Sequence, residues 1–104
     1  MKEITVTELK ARMDAGDDIQ VIDIRESNEY DYCNFGAQHI PMGEIMGNLD
    51  LISKDKDVIL HCKSGGRSGA MTQALMSRGY VNVMNLTGGI LAWSDQIDPS
   101  IPKY

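Results

Sequence analysis

The sequence predicts an α/β fold in which a central, mostly parallel sheet is covered by helices on both faces. Two observations carry this. Short apolar runs suited to buried strands alternate along the chain with segments whose apolar residues recur at helical spacing. The run Val58-Ile59-Leu60 also leads directly to Cys62 and the glycine pair Gly65-Gly66, the layout of a parallel strand with a site at its carboxyl end.

The elements follow in order. Thr5 and Glu8 stand at capping-box spacing, with Ile4 and Leu9 at the flanking staple positions, so a helix is expected over 6–15. Gly16-Asp17-Asp18 ends it, and Val21, Ile22 and Ile24 mark a buried strand over 19–24. Ser27 opens a short helix reaching Tyr32, with Glu29 in the first turn where the helix dipole favours an acid. A brief strand over 37–40 is stopped by Pro41, and a small helix is expected over 42–48. Residues 57–61 form the central strand. The longest helix covers 68–78, where Ala70, Met71, Ala74 and Leu75 recur at helical spacing until Gly79. A strand over 81–86 and a helix over 89–96 carrying Trp93 complete the chain. The i, i+4 pairs Met71/Leu75 and Leu9/Met13 read as core faces, and Trp93 as a core anchor.

A chain of 104 residues suits one domain, spanning 1–104, with a single hydrophobic core. With 42% hydrophobic and 24% charged residues and only 3 prolines it reads as globular, without repeats or low-complexity tracts. No apolar stretch approaches the ~20 residues that span a bilayer, and the N-terminus lacks a signal-peptide layout, so a cytoplasmic protein is expected. The net charge of −5 argues against nucleic-acid and membrane partners. The only two cysteines, Cys33 and Cys62, have neither zinc-site spacing nor disulfide-scaffold density, which fits a reduced compartment and no metal or other cofactor.

The chemistry concentrates in Cys62-Lys63-Ser64-Gly65-Gly66-Arg67-Ser68. A cysteine between a strand end and a glycine-rich turn into a helix heads a cradle of inward-facing backbone N–H groups, reinforced by the positive end of the helix dipole. A thiol there ionises more readily than a free one, whose pKa of ~8.5 falls to roughly 3.5–7.5 in such fields. Phosphate, arsenate and persulfide chemistry all use a cysteine, an amide-lined loop and an arginine, so loop length discriminates between them. Four residues separate Cys62 from Arg67. Cysteine phosphatases resemble this arrangement with a longer interval, because their ring surrounds a tetrahedral dianion; the smaller ring here suits a single anionic sulfur. His61 lies in the strand just before the nucleophile, where alternation points its side chain away from that of Cys62 and gives it a structural role. His39 has no evident catalytic role. Cys33 reads as a packed helix-end residue.

The chain as a whole resembles a single-domain rhodanese, a thiosulfate or persulfide sulfurtransferase. The resemblance rests on Val21-Ile22-Asp23-Ile24-Arg25 with Glu29-Tyr30, on Ile40-Pro41, on the Cys62 to Ser68 loop, and on Leu86-Thr87-Gly88-Gly89-Ile90 with Ala92-Trp93. The segment Tyr30-Asp31-Tyr32-Cys33-Asn34-Phe35-Gly36 and the tail from Ile97 to Tyr104 are similar to the rhodanese domains of ubiquitin-like-activating sulfurylases. The resemblance implies a rhodanese-like, mostly parallel five-stranded sheet and a catalytic Cys62 that takes sulfur from thiosulfate or another persulfide donor. The acceptor it implies is a thiol, cyanide or a protein. Lys63 and Arg67 are then expected to attract an anionic donor, and the amides of Ser64, Gly65, Gly66, Arg67 and Ser68 to hold the persulfide. Asp23 is expected to brace the catalytic loop through backbone hydrogen bonds, and Arg25 to form a surface ion pair with a carboxylate such as Glu29. A non-turnover sulfur carrier or protein-interaction module is the alternative reading; a small-anion phosphatase or arsenate reductase is disfavoured by the loop length.

Overall fold

The computed structural model describes residues Met1–Tyr104. Its sheet has five strands, β1 (Glu3–Ile4), β2 (Ile19–Asp23), β3 (Gln38–His39), β4 (Asp57–His61) and β5 (Val83–Leu86), in the order β1-β5-β4-β2-β3. Every neighbouring pair is parallel. The helices are α1 (Val6–Asp14), α2 (Ser27–Tyr32), α3 (Met42–Ile45), α4 (Gly66–Ser77) and α5 (Gly89–Gln96), with a single 3-10 turn at Leu49–Leu51. None is long and apolar enough to cross a membrane.

Side-chain alternation along β4 divides the core in two. Val58, Leu60 and then Cys62 pack on one face with Ile45 of α3 and Met71 and Leu75 of α4. Ile59 packs on the other with Val6 and Leu9 of α1 and Ile90 and Trp93 of α5. A sheet buried on both faces explains why its strands read as continuous apolar runs.

The topology also places the site. From β2 the chain steps outward to β3, whereas from β4 it steps the opposite way to β5, so the order reverses between β2 and β4. Loops leaving the carboxyl ends of two such strands diverge and open a crevice, the usual ligand position in open α/β sheets. Asp23 pairs in register with His61, and the Ile24 N–H donates to the His61 carbonyl at 3.0 Å. The residues after β2 and β4 therefore emerge side by side.

Several boundaries differ from expectation. β1 lies in a segment read only as a helix approach; two residues are too few for a periodic signal, and their strand character comes from pairing with Asn85 and Leu86. β5 starts at Val83, and Val81 is exposed in the turn before it. The strand expected over 37–40 is paired only at Gln38–His39, while the helix expected over 42–48 splits into α3 and the 3-10 turn. α4 begins at Gly66, two residues ahead of its expected start, so the glycine pair belongs partly to the helix. Met13 is exposed in the last turn of α1, so of the expected pair Leu9/Met13 only Leu9 reaches the core.

The capping box at the start of α1 forms as expected: Thr5 Oγ1 accepts from the Glu8 N–H at 3.1 Å and Glu8 Oε1 from the Thr5 N–H at 2.9 Å. Thr5→Ala should lower stability by about 0.5–2 kcal/mol, measured as a reduced urea midpoint at unchanged m-value.

Candidate functional site

Cys62 follows β4 and is almost fully buried, with its Sγ at the mouth of the turn into α4. Three donors reach that sulfur: the Gly65 N–H at 3.2 Å, the Ser68 N–H at 3.5 Å and the Ser68 hydroxyl at 3.3 Å. Burial pushes the thiol up, but the Ser68 hydroxyl and amide, with the amides of Gly65 and Ser64, outweigh it and leave Cys62 below its ordinary value. The amides of Gly66 and Arg67 make no hydrogen bond to the sulfur; they open α4 behind it. Gly65 turns the chain with a φ of 114°, a left-handed conformation that brings its N–H round to the sulfur.

What holds the loop in this shape is the start of α5. The N–H groups of Ile90 and Leu91 donate to the carbonyls of Cys62 and Lys63 at 3.0 and 3.1 Å, so those carbonyls face α5. The contact needs glycine at 89: a Cβ there would stand 2.5 Å from the Lys63 oxygen and 2.7 Å from the Cys62 oxygen. Thr87-Gly88-Gly89 was legible as a turn, but its use as a seat for the cysteine loop was not.

The charged residues gather at the rim in an arrangement that corrects the sequence reading. Glu29 pairs with Arg67, through Oε1 to Nη1 at 2.7 Å and Oε2 to Nη2 at 2.9 Å. It also accepts from the Tyr104 hydroxyl at 2.6 Å and from the Glu26 N–H at 3.0 Å. Arg67 holds the Glu29 carboxyl down at about 2. Arg25 is not at the surface and its guanidinium does not reach the Glu29 carboxylate; it is fully buried and pairs with Asp23, Nη2 to Oδ2 at 2.7 Å. Its remaining donors go to the Cys33 carbonyl at 2.7 Å, the Tyr104 hydroxyl at 2.9 Å and the Glu29 carbonyl at 3.3 Å. Asp23 accordingly spends its oxygens on Arg25, side chain and backbone, and makes no hydrogen bond to the 62–68 loop. The two residues clamp the turn after β2 against α2 and the tail. Tyr104 joins this clamp to the Arg67 pair, and the Lys63 ammonium lies 4.6 Å from its ring centroid. No local pattern pointed to Tyr104, because its partners lie 75 and 79 positions away.

The remaining candidates make no contact with the Cys62 sulfur. His61 is fully buried on the opposite face from Cys62 and stacks on Phe35, which stacks in turn on Trp93, a core anchor. Its Nδ1 lies 3.2 Å from the Cys62 carbonyl, which only accepts, so Nδ1 carries the proton. Burial pushes this imidazole down to about 4, even against the pull of Asp23. His39 donates through Nε2 to the Arg25 carbonyl at 2.8 Å and stacks on Tyr30. Cys33 ends α2 in the other core cluster from Cys62, with its Sγ 3.7 Å from the Pro102 carbonyl.

The fold and the site define an α/β protein with a doubly covered parallel sheet and a buried cysteine in an amide-lined turn at the point where strand order reverses. The Rhodanese-like domain model matches residues 5–96, and the chain belongs to that family. It is 34% identical over 100 residues to the putative sulfurtransferase YtwF of Bacillus subtilis, covering 95% of this chain and 96% of that one. It is 35% identical to the probable adenylyltransferase/sulfurtransferase MoeZ of Mycobacterium tuberculosis, covering 97% of this chain and 26% of that protein. A crystal structure of a rhodanese-like domain protein from Staphylococcus aureus superposes with a TM-score of 0.85 at 30% identity, covering 100% of this chain and 99% of that chain. The chain thus spans a quarter to two fifths of the first curated relatives, at 26% to 38% of their length. Two relatives that it matches over most of both chains carry sulfurtransferase names, YtwF and a protein of Allochromatium vinosum.

Arg25→Met should destabilise the fold by about 3–5 kcal/mol in denaturant titrations, because it leaves the Asp23 carboxylate buried without its cation. Acid should act through two groups. Between pH 6.5 and about 4 the unfolded chain protonates His61 while the folded chain does not, so stability falls as pH falls. Between 4.5 and about 2 the same holds for Glu29. Urea midpoints measured across pH 7 to 3 should decline through both windows, and His61→Phe should flatten the upper one only.

Proposed function

We propose that this protein is a sulfurtransferase that moves sulfane sulfur through a persulfide on Cys62. The observation that carries the reading is the convergence of the Gly65 and Ser68 amides and the Ser68 hydroxyl on one buried sulfur, whose size suits a single sulfur anion. The Cys62 thiolate attacks the outer sulfur of the donor. With thiosulfate, the S–S bond breaks and sulfite leaves with the bonding pair, while Cys62 keeps the sulfur as a persulfide with its charge on the outer atom. The acceptor, a thiolate or cyanide, then attacks that outer sulfur and the pair returns to Cys62. The loop amides hold the negative charge at each stage.

The rim bears on the donor. Arg67 is already neutralised by Glu29, so Lys63 is the loop cation free of a carboxylate partner. A weakly positive mouth favours a persulfide on another molecule, protein included, over a small dianion. It also supports the second reading, a carrier that is loaded and unloaded by partner proteins with little turnover of thiosulfate.

Cys62→Ser should abolish transfer at an intact fold, and Cys33→Ser should retain most of it. Incubation with a sulfur donor should add the mass of one sulfur to the Cys62 peptide, removable by cyanide. Multiple-turnover kinetics then separate enzyme from carrier, since a carrier takes up the sulfur without cycling. Inserting one residue between Gly65 and Arg67 should slow transfer at least about tenfold, because charge-assisted hydrogen bonds of ~1.5–3 kcal/mol no longer converge on one atom. A folded insertion variant with wild-type rates contradicts the ring-size reading.

A further inference from the structure

Asn85 is a polar residue in the otherwise apolar strand Val83-Met84-Asn85-Leu86, and it is nearly buried between the cysteine loop and β1. Its Nδ2 faces two groups that only accept, the Gly65 carbonyl at 3.2 Å and the Glu3 carboxylate at 3.3 Å. Those contacts fix the orientation of the amide and leave Oδ1 to accept from a donor. That donor is the Ser68 hydroxyl, 2.6 Å away.

Ser68 carries one hydroxyl hydrogen, and two atoms claim it: Asn85 Oδ1 at 2.6 Å and Cys62 Sγ at 3.3 Å. While Cys62 is a thiol both needs are met in a chain, with S–H donating to Ser68 and Ser68 to Asn85. A thiolate is acceptor only. To stabilise it Ser68 must swing its hydrogen to the sulfur, which strands a buried Asn85 oxygen without a donor. We propose that Asn85 is a positioning residue that competes with Cys62 for the Ser68 hydrogen and thereby sets how readily the thiol ionises. In the persulfide the charge has moved to the outer sulfur and Ser68 returns to Asn85, so the same competition disfavours the bare thiolate relative to the loaded state. This last consequence rests on the persulfide reading; the competition itself does not.

The other charged groups around the loop leave the competition alone. Glu3 of β1 touches only the amide nitrogen, and Arg67 of α4 is held by Glu29 of α2. His61 of β4 and the Asp23–Arg25 pair after β2 cluster together away from Ser68, and Lys63 lies over Tyr104.

The test follows the pH dependence of iodoacetamide alkylation of Cys62 in a Cys33→Ser background. Asn85→Ala should lower the midpoint by about half a unit or more, an approximately threefold rise in thiolate fraction below it. Ser68→Ala should raise the midpoint, and the double variant should sit at the Ser68→Ala value, because Asn85 acts through that hydroxyl. An unchanged or raised midpoint in Asn85→Ala, or a shift that persists without the Ser68 hydroxyl, overturns the proposal. Loss of the Gly65 contact can unfold the Asn85 variant, so a second readout leaves Asn85 in place. The side-chain 13Cγ resonance of Asn85 should titrate with the Cys62 midpoint and lose that response in Ser68→Ala; a flat resonance through the transition is equally fatal. Neither readout uses a sulfur donor, so failure of the sulfurtransferase reading and failure of this one are told apart.

Discussion

The rest of the site depends on the seating of α5 against the cysteine loop. A backbone segment has as many carbonyls as amides, and it favours an anion only if the carbonyls are turned away from the centre. Here the first N–H groups of α5, which have no partner within their own helix, take the carbonyls of Cys62 and Lys63. The exchange satisfies both sets and leaves the Gly65 and Ser68 amides free for the sulfur. Because Gly89 lets the two backbones meet at a distance no Cβ tolerates, the orientation is set by packing and is available before any ligand arrives.

Around that loop the charges are arranged in two linked pairs. The buried pair, Asp23 with Arg25, holds the turn after β2 and leaves the cysteine loop to other contacts. The rim pair, Glu29 with Arg67, spans α2 and α4 and half-neutralises the mouth. Tyr104 bridges them, accepting from Arg25 and donating to Glu29, so the chain's tail, the turn after β2 and the loop after β4 are tied at one point. A buried charged pair is a weak source of stability, since desolvation opposes its attraction. Its consequence here is geometric: Arg25, with donors to Asp23, Cys33, Tyr104 and Glu29, ties three segments together, the turn after β2, α2 and the tail.

The chain belongs to the rhodanese-like family, and relatives that it matches are named as sulfurtransferases. The thiol's own poise is then a balance among neighbours. Burial opposes the thiolate, while the Ser68 and Gly65 donors favour it by more. Asn85 enters as the group that decides how much of the Ser68 donor is available.

The sequence by itself determined the α/β class, the parallel sheet, the limits of β4 and α5, the α1 capping box and the position of Cys62 at a strand end. Each is written in neighbouring residues: apolar runs, a Thr-x-x-Glu spacing, glycines beside a cysteine. It also placed His61 on the face opposite Cys62, because strand alternation is a local rule. Only the tertiary structure decided which charges pair. Arg25 lies four positions from Glu29, yet it turns inward to Asp23, and Glu29 is taken by Arg67, 38 positions on. Strand β1 likewise exists only because Asn85 and Leu86 lie beside it. The roles of Gly89, Asn85 and Tyr104 were illegible for one physical reason: each acts on a partner at least 17 positions away, and no periodicity or spacing records which side chains a sheet will bring together.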